Sequence, residues 1–199
     1  MTVDKPARRR RDPQRRIEEI AEATERVIAE RGVEGLTHRA VAEAAGVPLG
    51  ATTYHFATKD DLITAALSRA VDRYAAYLRD WVAQRPELST DHLVILLTDV
   101  LLGCFGPQRD QQVTEFELYV AALRRPALRP IADQYTEHTV EALAHYTDPV
   151  TAAAAAATMN GLTLSGLAGT HAPDRTHIEA VLRRVLTPNP TLSLQPPPQ

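Results

Sequence analysis

Four consecutive arginines, Arg8, Arg9, Arg10 and Arg11, stand ahead of a segment that holds Thr37, Thr52, Thr53, Tyr54, His55 and Lys59. Guanidinium groups can neutralise phosphates. Hydroxyl, phenol, imidazole and ammonium groups can donate hydrogen bonds to phosphate oxygens or to base edges. Residues 1–16 carry seven basic side chains against two acids, a net of +5, so the other 183 residues carry −8 of the total of −3. A basic arm on an acidic body suits a polyanion partner at one end. The same run suits a solubilising tail equally well, and charge alone does not choose between them.

Other chemistries find less support. Cys104 is the single cysteine and sits in an apolar run, which excludes an intrachain disulfide and a four-cysteine metal site and fits a reducing cytoplasm. His171 and His177 are separated by Pro173 and lack a matching cysteine or carboxylate spacing, so no metal and no cofactor is expected. Ser165, His171 and Asp174 are near in sequence, but no nucleophile elbow surrounds the serine. No glycine-rich phosphate loop occurs. No catalytic residue is therefore assigned. The charged start of the chain is not followed by the apolar stretch of a secretory signal. Residues 150–168 lack charge but are mostly Ala, Thr and Gly, which reads as a buried helix and not as a membrane span.

These groups need elements to hold them. Apolar residues make up 44% of the chain and aromatic ones only 5%, so the core must be largely aliphatic and the fold all-α. The pattern predicts nine helices. Asp12 and Pro13 open the first, whose stripe runs through Ile17, Ile20, Ala21, Thr24, Val27 and Ile28 to a stop at Gly32. Thr37 caps the second, and Gly46 makes the turn to a short third helix from Pro48 to His55. Thr58 and Asp61 form a capping box for a long fourth helix. Residues 91–105 are apolar nearly all round and should be central. Phe116, Tyr119, Val120 and Leu123 mark the apolar face of the next helix. Pro126, Pro149 and Asp174 begin the last three. Domain limits are expected at 1–11 (disordered basic arm), 12–57 (the first three helices), 58–187 (the remaining helices) and 188–199. That last segment is a tail with five prolines in the 13 residues from Thr187.

Two short helices around Gly46 have the form of a helix-turn-helix, and the second is short, polar and weak in helix propensity: its small, hydrogen-bonding side chains suit a helix lying in a major groove, and taken alone it suits a surface connector better. The run from Ile17 to Leu67 resembles the DNA-binding domain of the TetR (tetracycline-repressor-type) family. The matching residues are Glu30-Arg31-Gly32, Gly35-Leu36-Thr37, Val41 to Val47, Gly50, Tyr54-His55-Phe56 and Lys59 to Leu62. Family members often have Ser and Lys where Pro48 and Leu49 stand, a Thr at Ala51 and an aromatic at Thr53. The arginine arm is expected to replace some of the missing phosphate contacts. The resemblance implies a nine-helix fold, an operator-binding homodimer joined through its last two helices, and a ligand that shifts the fourth helix. A charge at Ala156 is expected to split that dimer.

A ligand pocket is expected among the fourth to eighth helices, with Trp81, Phe105, Phe116, Tyr119, Tyr135 and Met159 as walls and Glu115 and Asn160 as orienting polar groups. Its ligand should be a hydrophobic or amphipathic organic molecule. The leading expectation is a cytoplasmic, nucleoid-associated repressor. An activator of the same family, a DNA-binding protein that answers to no small molecule and a helical enzyme with an incidental basic arm are the alternatives.

Overall fold

A computed structural model describes residues 13–187. Among them are nine α-helices, one short 3-10 turn and no strand. The helices are α1 (Pro13–Arg31), α2 (His38–Ala45), α3 (Leu49–His55), α4 (Lys59–Ala83), α5 (Thr90–Phe105), α6 (Arg109–Ala121), α7 (Arg129–Ala144), α8 (Pro149–Ala168) and α9 (Arg175–Leu186). The 3-10 turn Pro126–Leu128 leads into α7. The expected cap at Asp12, the arginine arm and the proline-rich tail lie outside the described residues.

Two compact units divide inside α4, between Arg69 and Ala70, and not before that helix as expected. The start of α4 belongs to the core of the first unit. Leu62, Ile63, Ala66 and Leu67 are buried. Arg69 reaches Glu25 of α1 at 3.0 Å and Glu22 at 3.7 Å. In this unit α1 buries the stripe from Ile20 to Ile28 and packs on α2, which packs on α3. Thr37 accepts a hydrogen bond from the Ala40 amide at 3.1 Å and so caps α2. Gly46 closes the helix at φ +63°, where a side chain would be strained. The capping box of α4 is reciprocal: the Asp61 amide donates to Thr58 Oγ1 at 3.1 Å, and the Thr58 amide donates to Asp61 Oδ2 at 2.8 Å. These bonds hold the Asp61 carboxyl below the usual carboxylate range.

In the second unit α5 is central, as its all-round apolar character requires. It packs on α8 and α9, and α8 packs on α7. Leu93, Val94, Leu97 and Leu101 meet Ile178 and Leu182 in this core. Asp148 caps α8 by accepting from the Val150 and Thr151 amides, and Asp174 caps α9 by accepting from the His177 amide. Ala152, Ala155 and Ala156 of α8 are fully buried, while Val150, Ala153, Ala154, Ala157, Gly161 and Leu164 face outward. Ala156 therefore belongs to the chain's own core and is not the place for a charge that would test a dimer contact. Phe105 packs where a Cβ on Gly166 would stand. Among the described residues no single helix is long and apolar enough to cross a membrane.

The face expected of α6 is corrected. Thr114, Glu115, Leu118 and Ala121 are buried, whereas Val120 is exposed and Leu123 is 75% exposed. Apolar residues surround this helix, so periodicity does not select a face. Donors placed around Glu115 turn the carboxylate inward.

Candidate functional site

In the first unit the surface of α3 is set by its period. Leu49, Gly50, Thr53 and Tyr54 face solvent, and Tyr54 is 83% exposed. His55 meets the Tyr54 ring edge-on, with ring centroids 5.0 Å apart. Thr52 points the other way and is 0% exposed. Its hydroxyl donates to the Leu49 carbonyl at 2.8 Å. Thr52 is thus withdrawn as a candidate DNA contact, because residues three or four apart share a helix face and Thr52 shares that of the buried Phe56. Thr37 stays exposed beside its cap. Lys59 is half-buried and donates from Nζ to the Glu34 carbonyl at 3.2 Å. Arg39, exposed in the first turn of α2, is a cation that the sequence reading left out. The groups of this surface able to donate to DNA are the hydroxyls of Thr37, Thr53 and Tyr54, the His55 ring and the Arg39 and Lys59 cations, all on or beside the helix-turn-helix.

In the second unit a cavity of about 290 Å³ is lined by residues of α4, α5, α6, α7 and α8 and opens to solvent. Its walls include Tyr74, Tyr77, Tyr135, Thr139, Met159 and Asn160. Tyr74 and Tyr135 stack with centroids 4.5 Å apart and planes 20° apart. Tyr77 lies parallel to Tyr74 at 6.4 Å, and Tyr119 tilts against Tyr135 at 5.8 Å. The Tyr74 hydroxyl bonds Thr139 Oγ1 at 3.0 Å. Burial pushes the Tyr74 phenol up to about 12 and Tyr135 well above its ordinary value, so both are neutral hydrogen-bonding groups at physiological pH. Burial and the Glu115 charge also push the Cys104 thiol up to about 11, and it donates to the Val100 carbonyl. A thiol held there is a poor nucleophile.

Glu115 supplies the cavity's carboxylate and is only 7% exposed. Gln111 Nε2 donates to its Oε1 and Gln112 Nε2 to its Oε2, both at 2.9 Å. Arg73 approaches Oε1 at 3.5 Å. These partners offset the cost of burying a charge. A flat apolar surface next to a buried, oriented carboxylate is an arrangement that can hold an aromatic cation. Among the described residues no group of three or more His, Cys, Asp or Glu is placed to hold a metal ion.

The chain's similarity to known proteins covers both units. Residues 20–66 match the family described as bacterial regulatory proteins, tetR family, and residues 88–188 match the tetracyclin repressor-like, C-terminal domain. The chain belongs to the TetR family of transcriptional regulators. The multidrug binding protein EbrR, solved with ethidium, is 41% identical with a TM-score of 0.77, over 86% of this chain and 99% of EbrR. EbrR has also been solved with proflavin and with malachite green. SCO7518 of Streptomyces coelicolor A3(2) is 29% identical with a TM-score of 0.78, over 87% of this chain and 99% of that one. The HTH-type transcriptional regulator PksA of Bacillus subtilis (strain 168) is 33% identical over 110 residues, and the match spans about half of PksA, 51%. This TetR-family regulator therefore carries a DNA-binding helix-turn-helix, and its family is one of regulators and not of enzymes.

The structure brings only part of the predicted ligand set together. Glu115, Tyr135, Met159 and Asn160 of this TetR-family regulator line the main cavity. Trp81 lines an adjoining apolar hollow of about 40 Å³, which shares Tyr74, Tyr77 and Met159 with the main cavity. Phe116 and Tyr119 border a shallower recess beside Glu115, Tyr135 and Asn160. Phe105 lines none of these and is withdrawn, because it is engaged in packing on Gly166. Tyr74, Tyr77, Thr139 and Arg73 were missed. The two tyrosines read as ordinary members of the long α4 stripe, and nothing in the local pattern singles out Arg73. Gln108, Gln111 and Gln112 were a legible signal: a run of amides at the start of α6 leads to the one carboxylate that faces inward there.

Proposed function

We propose that this TetR-family regulator is a homodimeric repressor that leaves a palindromic operator when a lipophilic aromatic cation enters the cavity of the second unit. The observation that carries the reading is the stacked pair Tyr74 and Tyr135 beside the buried Glu115 carboxylate. Stacked rings offer dispersion and cation–π attraction, and a carboxylate in a low-dielectric wall attracts positive charge more strongly than one in water. The ethidium, proflavin and malachite green held by EbrR are aromatic cations of this kind. This narrows the hydrophobic or amphipathic ligand expected from sequence.

On the DNA side, Tyr54, His55, Lys59 and Thr37 contact phosphates, Thr53 reaches base edges, and Arg8 to Arg11 follow the adjacent minor groove. The uncharged outer face of α8, at Val150, Ala153, Ala157, Gly161 and Leu164, advances in steps of three or four residues. Such a seam lets two helices approach closely. With α9 it forms the dimer contact, and the paired α3 helices then read half-sites about 34–36 Å apart. The work takes place in the cytoplasm, where operator DNA is. Continuity of α4 from Lys59 to Ala83 makes it the element whose displacement changes that spacing.

The test is a gel shift on the DNA flanking the protein's own gene, titrated with malachite green, with an unrelated repressor–operator pair as the control for dye binding to DNA. Release of this protein alone is expected. A complex that survives saturating dye, or the absence of any complex, rejects the reading.

A further inference from the structure

We infer that Arg73 is a built-in competitor for the ligand: an organic cation gains the Glu115 carboxylate only by displacing the Arg73 guanidinium. Arg73 thereby sets both the affinity for cations and the preference for them over neutral molecules. The inference rests on the reading of this cavity as the ligand site.

Three side chains meet the carboxylate, and they are not equivalent. Gln111 and Gln112 are uncharged, lie on the same helix as Glu115 and donate at 2.9 Å to different oxygens. They travel with the carboxylate and stay with it. Arg73 comes from α4, approaches Oε1 at 3.5 Å and keeps 43% of its side chain exposed, against 7% for Glu115. It is the longest of the three contacts, and its guanidinium already stands near water. Its contribution is charge. A carboxylate that deeply buried is costly without a cation nearby. With Arg73 in place, its positive charge offsets that of the carboxylate, and an incoming cation is attracted less strongly than by Glu115 alone.

Displacement changes that balance. Once the guanidinium turns toward solvent, the cavity holds one negative charge with its two amide donors still in position. An aromatic cation seated on Tyr74 and Tyr135 then supplies the missing positive charge at Oε1. A neutral apolar molecule gains nothing from the exchange and leaves the Arg73 pair intact. Arg73 also adjoins Tyr74, whose hydroxyl bond to Thr139 joins α4 to α7. The exchange thus breaks the Arg73 link between α4 and α6 at the moment the ligand arrives.

The test measures ethidium binding by fluorescence on the purified full-length protein without DNA, with the neutral dye Nile red as the uncharged probe. Arg73→Met should bind ethidium about two- to fivefold more tightly, the range open to a partly exposed ion pair. Its affinity for Nile red should not move. In a Glu115→Gln background the same Arg73 substitution should give no gain, because the charge being contested is gone. Arg73→Gln serves as the second variant if Arg73→Met lowers the melting temperature. Unchanged or weaker ethidium binding by both Arg73 variants, with wild-type binding intact, overturns the competition and leaves the cavity reading standing. An equal gain for both dyes shows loosened packing and also overturns it. Ethidium binding by Glu115→Gln as tight as wild type, or no binding by any form, overturns the cavity reading itself and the inference with it.

Discussion

Helices α3 and α6 both bury polar side chains, and Thr52 of the first and Glu115 of the second are accommodated for different physical reasons. Thr52 satisfies itself within its own turn by donating to the Leu49 carbonyl, and nothing else is asked of its surroundings. Glu115 cannot do so. A carboxylate only accepts, so it draws on Gln111, Gln112 and, from another helix, Arg73. It also borders open space, which Thr52 does not. Buried polarity that is satisfied locally is part of the scaffold. Buried polarity that needs donors from a second element and lines a cavity marks a place where a ligand can compete.

The sharpest way to break the contrast is to bury a carboxylate with no donors. Ala156→Glu should abolish cooperative thermal unfolding, since an unpaired buried charge costs several kcal/mol. Ala157→Glu, one position along on the outer face of α8, should keep the fold and give the 21.9 kDa monomer mass in light scattering in place of twice that value. A folded Ala156→Glu protein would mean that α8 tolerates charge inside, and Glu115 would lose its special status.

Next in size is the aromatic wall. Tyr74→Ala removes the stack on Tyr135 and should weaken ethidium binding by about tenfold, the equivalent of one favourable aromatic pair. Operator affinity without dye should be retained. An unaltered dye affinity would move the ligand to the Phe116 and Tyr119 recess.

On the DNA side the expected effects are smaller and uniform. Lys59→Ala and Tyr54→Phe should lower affinity for all sequences alike, and Lys59→Ala, which removes a charge, should also reduce the salt slope by about 0.9. An unchanged slope for Lys59→Ala would leave Lys59 with only its bond to the Glu34 carbonyl. Smallest of all is Thr52→Val. It should cost about 1 kcal/mol of stability in a melt and leave base preference untouched. A changed operator preference would return Thr52 to the DNA surface.

The helix ends were legible because their signals are local. Thr37, Thr58 with Asp61, Asp148 and Asp174 cap the helices that their positions announce, since the bonds close within three residues. Central burial of α5 was equally legible, as a helix apolar on nearly every side has no other place to go. The face of α6 was not legible. Its apolar residues surround the helix, and Glu115 turns inward only because two amides of its own helix and a guanidinium from α4 converge on it.

By itself, the sequence determined the all-helical class, the position of nearly every helix, the helix-turn-helix and the kinship that the family match bears out. Each follows from short-range chemistry: caps, glycine turns and 3.6-residue periodicity. Only the tertiary structure decided that Thr52 faces inward, that α4 is divided between the two units, that Phe105 is spent on Gly166, and that Tyr74 and Arg73 join Tyr135 and Glu115 around one cavity. These residues come from helices far apart in the chain, and which of their faces meet is fixed by packing and by the pairing of a buried charge, neither of which a local pattern contains.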